Sequence, residues 1–432
     1  MIMICDSLIK SKYLFFIVFL FLLAANIYTQ PKANENFHGK KQFLLEKNVI
    51  RGDSTEHIFI SYRIPYRMLV FEKSNNEYLG RMSLDLDVKQ AGKVVLRQSS
   101  SKGVFADSYE KTKSSSDYVE GLIQFDLRKS EYVIIPYLNI IKGDDGVQLD
   151  SLHIQPNDFE NGIIYSPILV KHEALNCKKP FEFELINTSN TIPYSSSDYT
   201  LLIPVRNESI SSIKIIIEQD KKEIIKKDVN KYLTATLTLT ECNGHIVIDS
   251  LSHGKKIKYF VLDGFSSKLN EGSANFLIKD SNEKPTEFNR EVFWSNKPKS
   301  LMNPEFAIRQ LDIIENKAKV DTLLDVNEKN YEKELSRYWA GKNPNKNIAF
   351  NELESEFYRR TDYAFENFKT IDNNNGAKSD RGKIYIRYGK PDEIKRDYLN
   401  PNATIEIWKY IQINKEFIFT DRSGLGNYTL GQ

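Results

Sequence analysis

The side chains with chemical potential are unevenly placed along this chain. Asp380, Arg381, Asp392, Glu393 and Asp421 fall within its last 60 residues, with Ser379 beside the first of them. Carboxylates in this number suit paired acid and base hydrolysis or the binding of a polar ligand. All six histidines, His38, His57, His153, His172, His245 and His253, lie before residue 254, and no cysteine follows Cys242. A Ser-His-Asp triad, a Cys-His dyad and an imidazole or thiolate zinc site are therefore excluded from the C-terminal part. Gly424-Leu425-Gly426 lacks the third glycine of a dinucleotide loop, and Gly143-Asp144-Asp145-Gly146 is too short for an EF-hand. His245 and His253 flank a strand and read as surface groups. No metal and no cofactor is expected, and no residue is assigned a catalytic role. Trp339 and Trp408 have rings suited to sugar stacking, but core packing accounts for both.

The two cysteines outside the N-terminal segment, Cys177 and Cys242, form an even pair. Either they bridge, closing a loop of 65 residues with Cα atoms under about 7 Å apart, or they are two unpaired buried thiols.

These groups need elements to position them. The chain has 432 residues, enough for about three domains. With 60 Lys+Arg against 58 Asp+Glu, its net charge of +2 excludes the basic stripe of a nucleic-acid binder. A hydrophobic share of 41% excludes a disordered chain. Lys10 and Lys12 precede an unbroken apolar run from Leu14 to Ala25, with small residues at Ala24 and Ala25. That run suits a signal peptide over residues 1–29 rather than a spanning helix. Left uncleaved, it would be a membrane anchor, the one membrane contact expected.

From 41 to 155 the period is two. Ile58, Ile60, Tyr62 and Ile64 alternate with Phe59, Ser61 and Arg63, which places the first set on a core and the second in water. Met82, Leu84, Leu86 and Val88 behave likewise, and Pro136 marks its strand as an edge or bulge. Residues 160–280 repeat the architecture. Both stretches are expected to be antiparallel, Ig-like β-sandwich domains. Residues 281–302 are polar and read as a boundary. Beyond it, over 303–432, the period becomes 3.6: Tyr331, Leu335, Tyr338 and Trp339 share a helical face, as do Leu353, Phe357, Ala364 and Phe368. Strands are expected at Lys383–Tyr388, Ile405–Ile411 and Glu416–Thr420, which makes this last domain α+β. On that reading Tyr385 and Arg387 share a strand face beside Trp408.

The stretch from Arg337 to Asp421 resembles the GWxTD domain family of bacterial exported proteins. The resemblance rests on Arg337-Tyr338-Trp339-Ala340, Asn351 to Arg360, Gly376 to Gly382, Ile384 to Glu393, Glu406-Ile407-Trp408 and Phe417 to Asp421, in that order and spacing. The namesake motif reads Gly376-Ala377-Lys378-Ser379-Asp380 here, with Ala377 in place of Trp and Ser379 in place of Thr. The resemblance implies an exported protein and brings no mechanism. Its motif positions, Gly376, Ser379, Asp380, Arg381, Gly382, Tyr388, Gly389, Pro391, Asp392, Trp408 and Asp421, serve either structure or binding. Turn chemistry accounts for most of them, with Asp380 expected to accept two backbone N–H groups and an arginine at the entry of a strand. The expected protein acts in the periplasm, at the outer membrane or outside the cell. It would bind an envelope protein or glycan without catalysis. The competing expectation is a carboxylate-dependent hydrolase of an envelope or extracellular polymer.

Overall fold

The computed structural model describes residues 43–431, apart from 52–54, 115–116, 144–145, 156–163, 174, 176, 178–180, 187–189, 255, 281–284, 371–373 and 399–402. The segment read as a signal peptide lies outside the described residues.

The chain is mostly β-structure in several largely antiparallel sheets; apart from single turns such as Tyr109–Thr112, the helices of the described residues lie after residue 298. Strands β1 (Leu44–Arg51), β2 (Glu56–Pro65) and β6 (Tyr118–Leu127) make a three-stranded sheet in the order β1-β2-β6. Facing it is a sheet built on β4 (Glu77–Gln90). It pairs with β3 (Phe71–Ser74), β5 (Lys93–Ala106) and β7 (Tyr132–Ile140), and β7 continues to β8 (Val147–Gln148) and β9 (Leu152–Ile154). The alternating residues of β2, β4, β6 and β7 meet in one core, where Ile58, Ile60, Leu84, Val88 and Ile134 are wholly enclosed. Each such side chain contributes about 1.5–3 kcal/mol. Pro136 sits where the partner of β7 changes from β8 to β9, so its missing N–H breaks no ladder bond.

Six further strands close into a barrel: β10 (Ile168–His172), β11 (Phe183–Leu185), β13 (Thr200–Val205), β16 (Tyr232–Cys242), β17 (His245–Leu251) and β18 (Ile257–Leu262). The outer sides of β13 and β18 pack on a five-stranded sheet. That sheet holds β12 (Thr191–Pro193), β14 (Ile213–Gln219), β15 (Lys222–Val229), β19 (Gly272–Lys279) and β20 (Pro285–Phe293). Strand β20 corrects the boundary expected at 281–302. Its polar outer residues hide a strand that pairs with β19 along its full length, and the connection to the helices begins only after Trp294.

A second correction concerns β2. Phe59 and Ser61 are buried, not solvated. Ile50 and Phe59 pack with Val170, Leu185, Leu237, Leu239 and Ile248 of the barrel. The three-stranded sheet is thus covered on both sides, and strict alternation showed only one of its two partners.

Among the described residues beyond 303 stand five α-helices: α1 (Pro304–Gln310), α2 (Lys317–Leu324), α3 (Tyr331–Lys342), α4 (Glu352–Asn367) and α5 (Asp380–Tyr388). Asn303, Asn316 and Asn351 cap α1, α2 and α4 by accepting backbone N–H groups near each start. A four-stranded sheet follows in chain order: β21 (Glu393–Asp397), β22 (Thr404–Tyr410), β23 (Lys415–Asp421) and β24 (Thr429–Leu430). Helices and sheet share a core of their own that includes Trp339, Tyr358, Ala364, Trp408 and Phe419.

Cys177 and Cys242 are joined in a disulfide, with Cα atoms 6.2 Å apart. The bond ties Cys177 to the β16–β17 hairpin, whose Asn243-Gly244 turn takes φ of 50° and 83°. Closing a loop of 65 residues is worth about 4 kcal/mol on the chain-entropy account. Reductant, or Cys177→Ser, should therefore lower the melting temperature clearly. An unchanged melt would show that the bond adds nothing to stability.

Candidate functional site

The expected strand at Lys383–Tyr388 is a helix. Ser379 caps α5 by accepting the N–H of Gly382 at 3.0 Å, and its own hydroxyl donates to the Gly376 carbonyl at 2.7 Å. Asp380 occupies the first turn, where a negative charge meets the positive end of the helix dipole. Ile384 and Ile386 are both buried because α5 is enclosed on more than one side, by α4 and by the Leu311–Ile313 turn. Two buried residues at spacing two mimic a strand in so short a window. Tyr385 and Arg387 consequently do not share a face, and Trp408 is buried, with the Tyr385 ring 6.4 Å away. Arg387 instead donates to the Ile313 carbonyl at 2.5 Å.

The glycines answer to close backbone approach. A Cβ on Gly376 would overlap the Ala364 carbonyl oxygen, and one on Gly382 would overlap the Gly376 carbonyl oxygen. Ala377, where the family name has Trp, is fully enclosed in the core. Gly389 ends α5 with φ of 85°, and a side chain there would also press on the Arg360 guanidinium.

Asp380 does not make the bonds expected of it. Its Oδ2 accepts one backbone N–H, from Leu430 on β24 at 3.0 Å. Its cation is Lys383 at 3.8 Å rather than an arginine. Arg381 turns inward instead. Its guanidinium lies 4.1 Å from the Tyr428 ring centroid and 3.6 Å from Glu406 Oε1. Glu406 was not singled out from sequence as a site residue, yet it is buried here, as Asp421 is. Its Oε1 accepts the Trp408 indole N–H at 2.7 Å, and its Oε2 accepts Arg396 Nε at 2.7 Å. Trp408 and Trp339 both stand in the core.

Asp421 accepts Ser423 N–H at 3.0 Å, Ser423 O–H at 2.8 Å, Gly424 N–H at 3.0 Å and Gly426 N–H at 2.7 Å. Burial alone would raise its carboxyl, but these donors outweigh it and hold the group below the ordinary value. Asp392 accepts the Ile411 N–H at 2.6 Å, and its own N–H donates to the Lys409 carbonyl at 2.9 Å. Tyr388 receives a hydrogen bond from Lys415 at 3.0 Å, which lowers its phenol. Pro391 is buried between these turns. The motif residues thus surround one helix and one sheet, and each carboxylate among them binds a different part of the chain.

A perturbed carboxyl lies elsewhere. Glu354, in the first turn of α4, faces the junction with the β-sheets. There Tyr194, Trp294 and Phe350 pack with ring centroids 5.2 to 5.5 Å apart, and Tyr194 O–H donates to the Ala349 carbonyl at 2.9 Å. Burial pushes Glu354 up to about 7, Lys297 opposes the shift and Glu271 adds to it.

Residues 274–430, the C-terminal part of the chain, match the GWxTD domain. That span includes β19 and β20 as well as the helices and the last sheet. No curated protein matches. Among solved structures, Salmonella alpha-2-macroglobulin reacted with methylamine is similar at 10% identity over 61% of this chain, with a TM-score of 0.14. This chain spans 17% of its length. The C-terminal 282-residue fragment of intimin, in complex with the intimin-binding domain of its translocated receptor, is 7% identical, with coverage of 90% and 98% and a TM-score of 0.14. The Yersinia pseudotuberculosis adhesin InvE is 10% identical, with coverage of 90% and 97% and a TM-score of 0.16.

The Glu354 carboxyl has a definite sign in its effect on stability. Its folded value lies above the ordinary 4.5, so its contribution is fully present below 4.5 and is lost as pH rises through about 7. The protein should melt lower at pH 8 than at pH 5.5, and Glu354→Gln should narrow that difference. Thermal melts of both proteins at both pH values check this; an identical pH difference in the variant would contradict it.

Proposed function

We propose that this chain is an exported cell-envelope protein that binds or scaffolds an envelope protein or glycan and catalyses no reaction. It would consist of two Ig-like β-units followed by the α+β GWxTD module. The observation that carries this reading is the internal engagement of the motif. Asp380, Asp392, Glu406 and Asp421 each accept hydrogen bonds from a different segment of the chain itself, and Asp421 is shifted away from the range of a general acid. A hydrolase of the two-carboxylate kind needs a pair facing one bond, one of them with a raised pKa. The disulfide supports export, because such bonds persist in oxidising compartments.

Sedimentation of the purified chain with isolated cell-wall sacculi and with outer-membrane vesicles tests the reading. Saturable co-sedimentation with one of them is expected, with sacculus composition unchanged afterwards. Asp392→Asn, folded by circular dichroism, should bind as the parent does. Release of soluble fragments by the parent, lost in the folded Asp392→Asn protein, would support a hydrolase instead.

A further inference from the structure

Outside the GWxTD module, three metal-ligating side chains from distant parts of the chain meet where the three-stranded sheet abuts the barrel. They are Glu120 on β6, Glu184 on β11 and His245 at the start of β17, with one ligand atom from each within 4.8 Å of the others. His245 Nδ1 lies 2.8 Å from Glu184 Oε1 and 3.9 Å from Glu120 Oε2. The two carboxylates are withdrawn from water, with side chains only 10% and 7% exposed, while the His245 side chain is 42% exposed.

The distribution of partners matters. Both contacts from Arg63, through Nε and a terminal nitrogen, fall on Oε1 of Glu120. Glu120 Oε2 is left facing the imidazole at a distance beyond a hydrogen bond. Arg63 therefore orients Glu120 and offsets one of the two buried negative charges, while Lys171, the other nearby cation, is paired with Glu173 at 2.7 Å. Two buried carboxylates thus share one arginine at the point where the three ligand atoms converge.

We infer that Glu120, Glu184 and His245 form a binding site for a divalent cation of the zinc type, which joins the first β-region to the barrel. The ligand set is the nitrogen and carboxylate oxygen chemistry that zinc accepts, with three protein ligands and a fourth position open to water on the exposed His245 side. A tetrahedral ion with bonds of about 2.1 Å needs ligand separations of about 3.4 Å. The two distances from Nδ1 bracket that value, so small rotations of the side chains complete the set. The ion would bind Nδ1 in the neutral tautomer that carries its single proton on Nε2, toward solvent. The site is built into a rigid frame: Cys242 stands opposite His245 in the hairpin and is held by the disulfide. Glu241 beside it accepts the Leu122 N–H of β6 at 2.9 Å and pairs with Lys102 of β5.

The test is calorimetric titration of Zn2+ into the chelator-treated full chain, with thermal melts alongside. One Zn2+ per chain and a higher melting temperature are expected. His245→Gln changes a half-exposed side chain and should fold; it should weaken binding by roughly tenfold or more and abolish the thermal shift. Glu184→Gln should weaken binding as well. His57 forms an imidazole–carboxylate contact elsewhere, with Asp126 at 2.6 Å, and His57→Gln should bind as the parent does. Absence of saturable binding by the parent, or full binding by folded His245→Gln, would overturn the inference. So would loss of binding in His57→Gln alone.

Discussion

Glu406 is a carboxylate taken out of water, and the C-terminal module is organised around satisfying it. Withdrawing such a charge costs several kcal/mol unless partners replace its hydration. Three groups replace it: the indole N–H of Trp408, the Arg396 guanidinium and the more distant Arg381 guanidinium. Arg381 belongs to the motif helix, so the position of α5 decides whether the third group arrives. Gly376 lets the turn before α5 come close to α4, and Gly382 lets α5 close on that turn, which together set that position. Asp421 shapes the 421–426 turn that brings Tyr428 against Arg381, and Asp380 holds the last strand by Leu430. Within the motif, Arg381 and Trp408 serve this buried charge while Asp380, Asp392 and Asp421 fasten other segments, which explains why hydroxyl, acid and glycine occur together without forming a reactive site.

The β-regions are joined by a different principle. Phe59 and Ile50 extend the first region into the barrel core, and the tip of the β16–β17 hairpin adds Glu241 and His245 to the same junction. Apolar burial supplies the adhesion, and the polar groups fix the register of the contact.

Much of this architecture is legible in the residues. The alternation in β2, β4 and β6 marks the strands, and the 3.6 period marks α3 and α4. The core role of Trp339 follows from the apolar helix face it shares with Leu335, and that of Trp408 from its place in an alternating strand with Glu406 and Tyr410. What was not legible has physical causes. Lys383–Tyr388 is too short for its period to separate strand from helix when a helix is buried on two sides, and the Ser379 cap was the available signal. The burial of Phe59 depends on a partner sheet more than a hundred residues away. Strand β20 is half-exposed, so its composition resembles a linker. The meeting of Glu120, Glu184 and His245 is created by tertiary pairing alone, and no local spacing announces it.

The account stands on the coupling of the motif helix to Glu406, and a double-mutant cycle measures that coupling directly. Arg381→Met, Glu406→Gln and the double variant are compared by denaturant unfolding. The account predicts an interaction energy of about 1 kcal/mol or more, because each single change leaves the other charged group buried with fewer partners. Additive effects within about 0.3 kcal/mol would contradict it, since they would mean that Arg381 and Glu406 contribute independently and that the motif does not serve the buried charge.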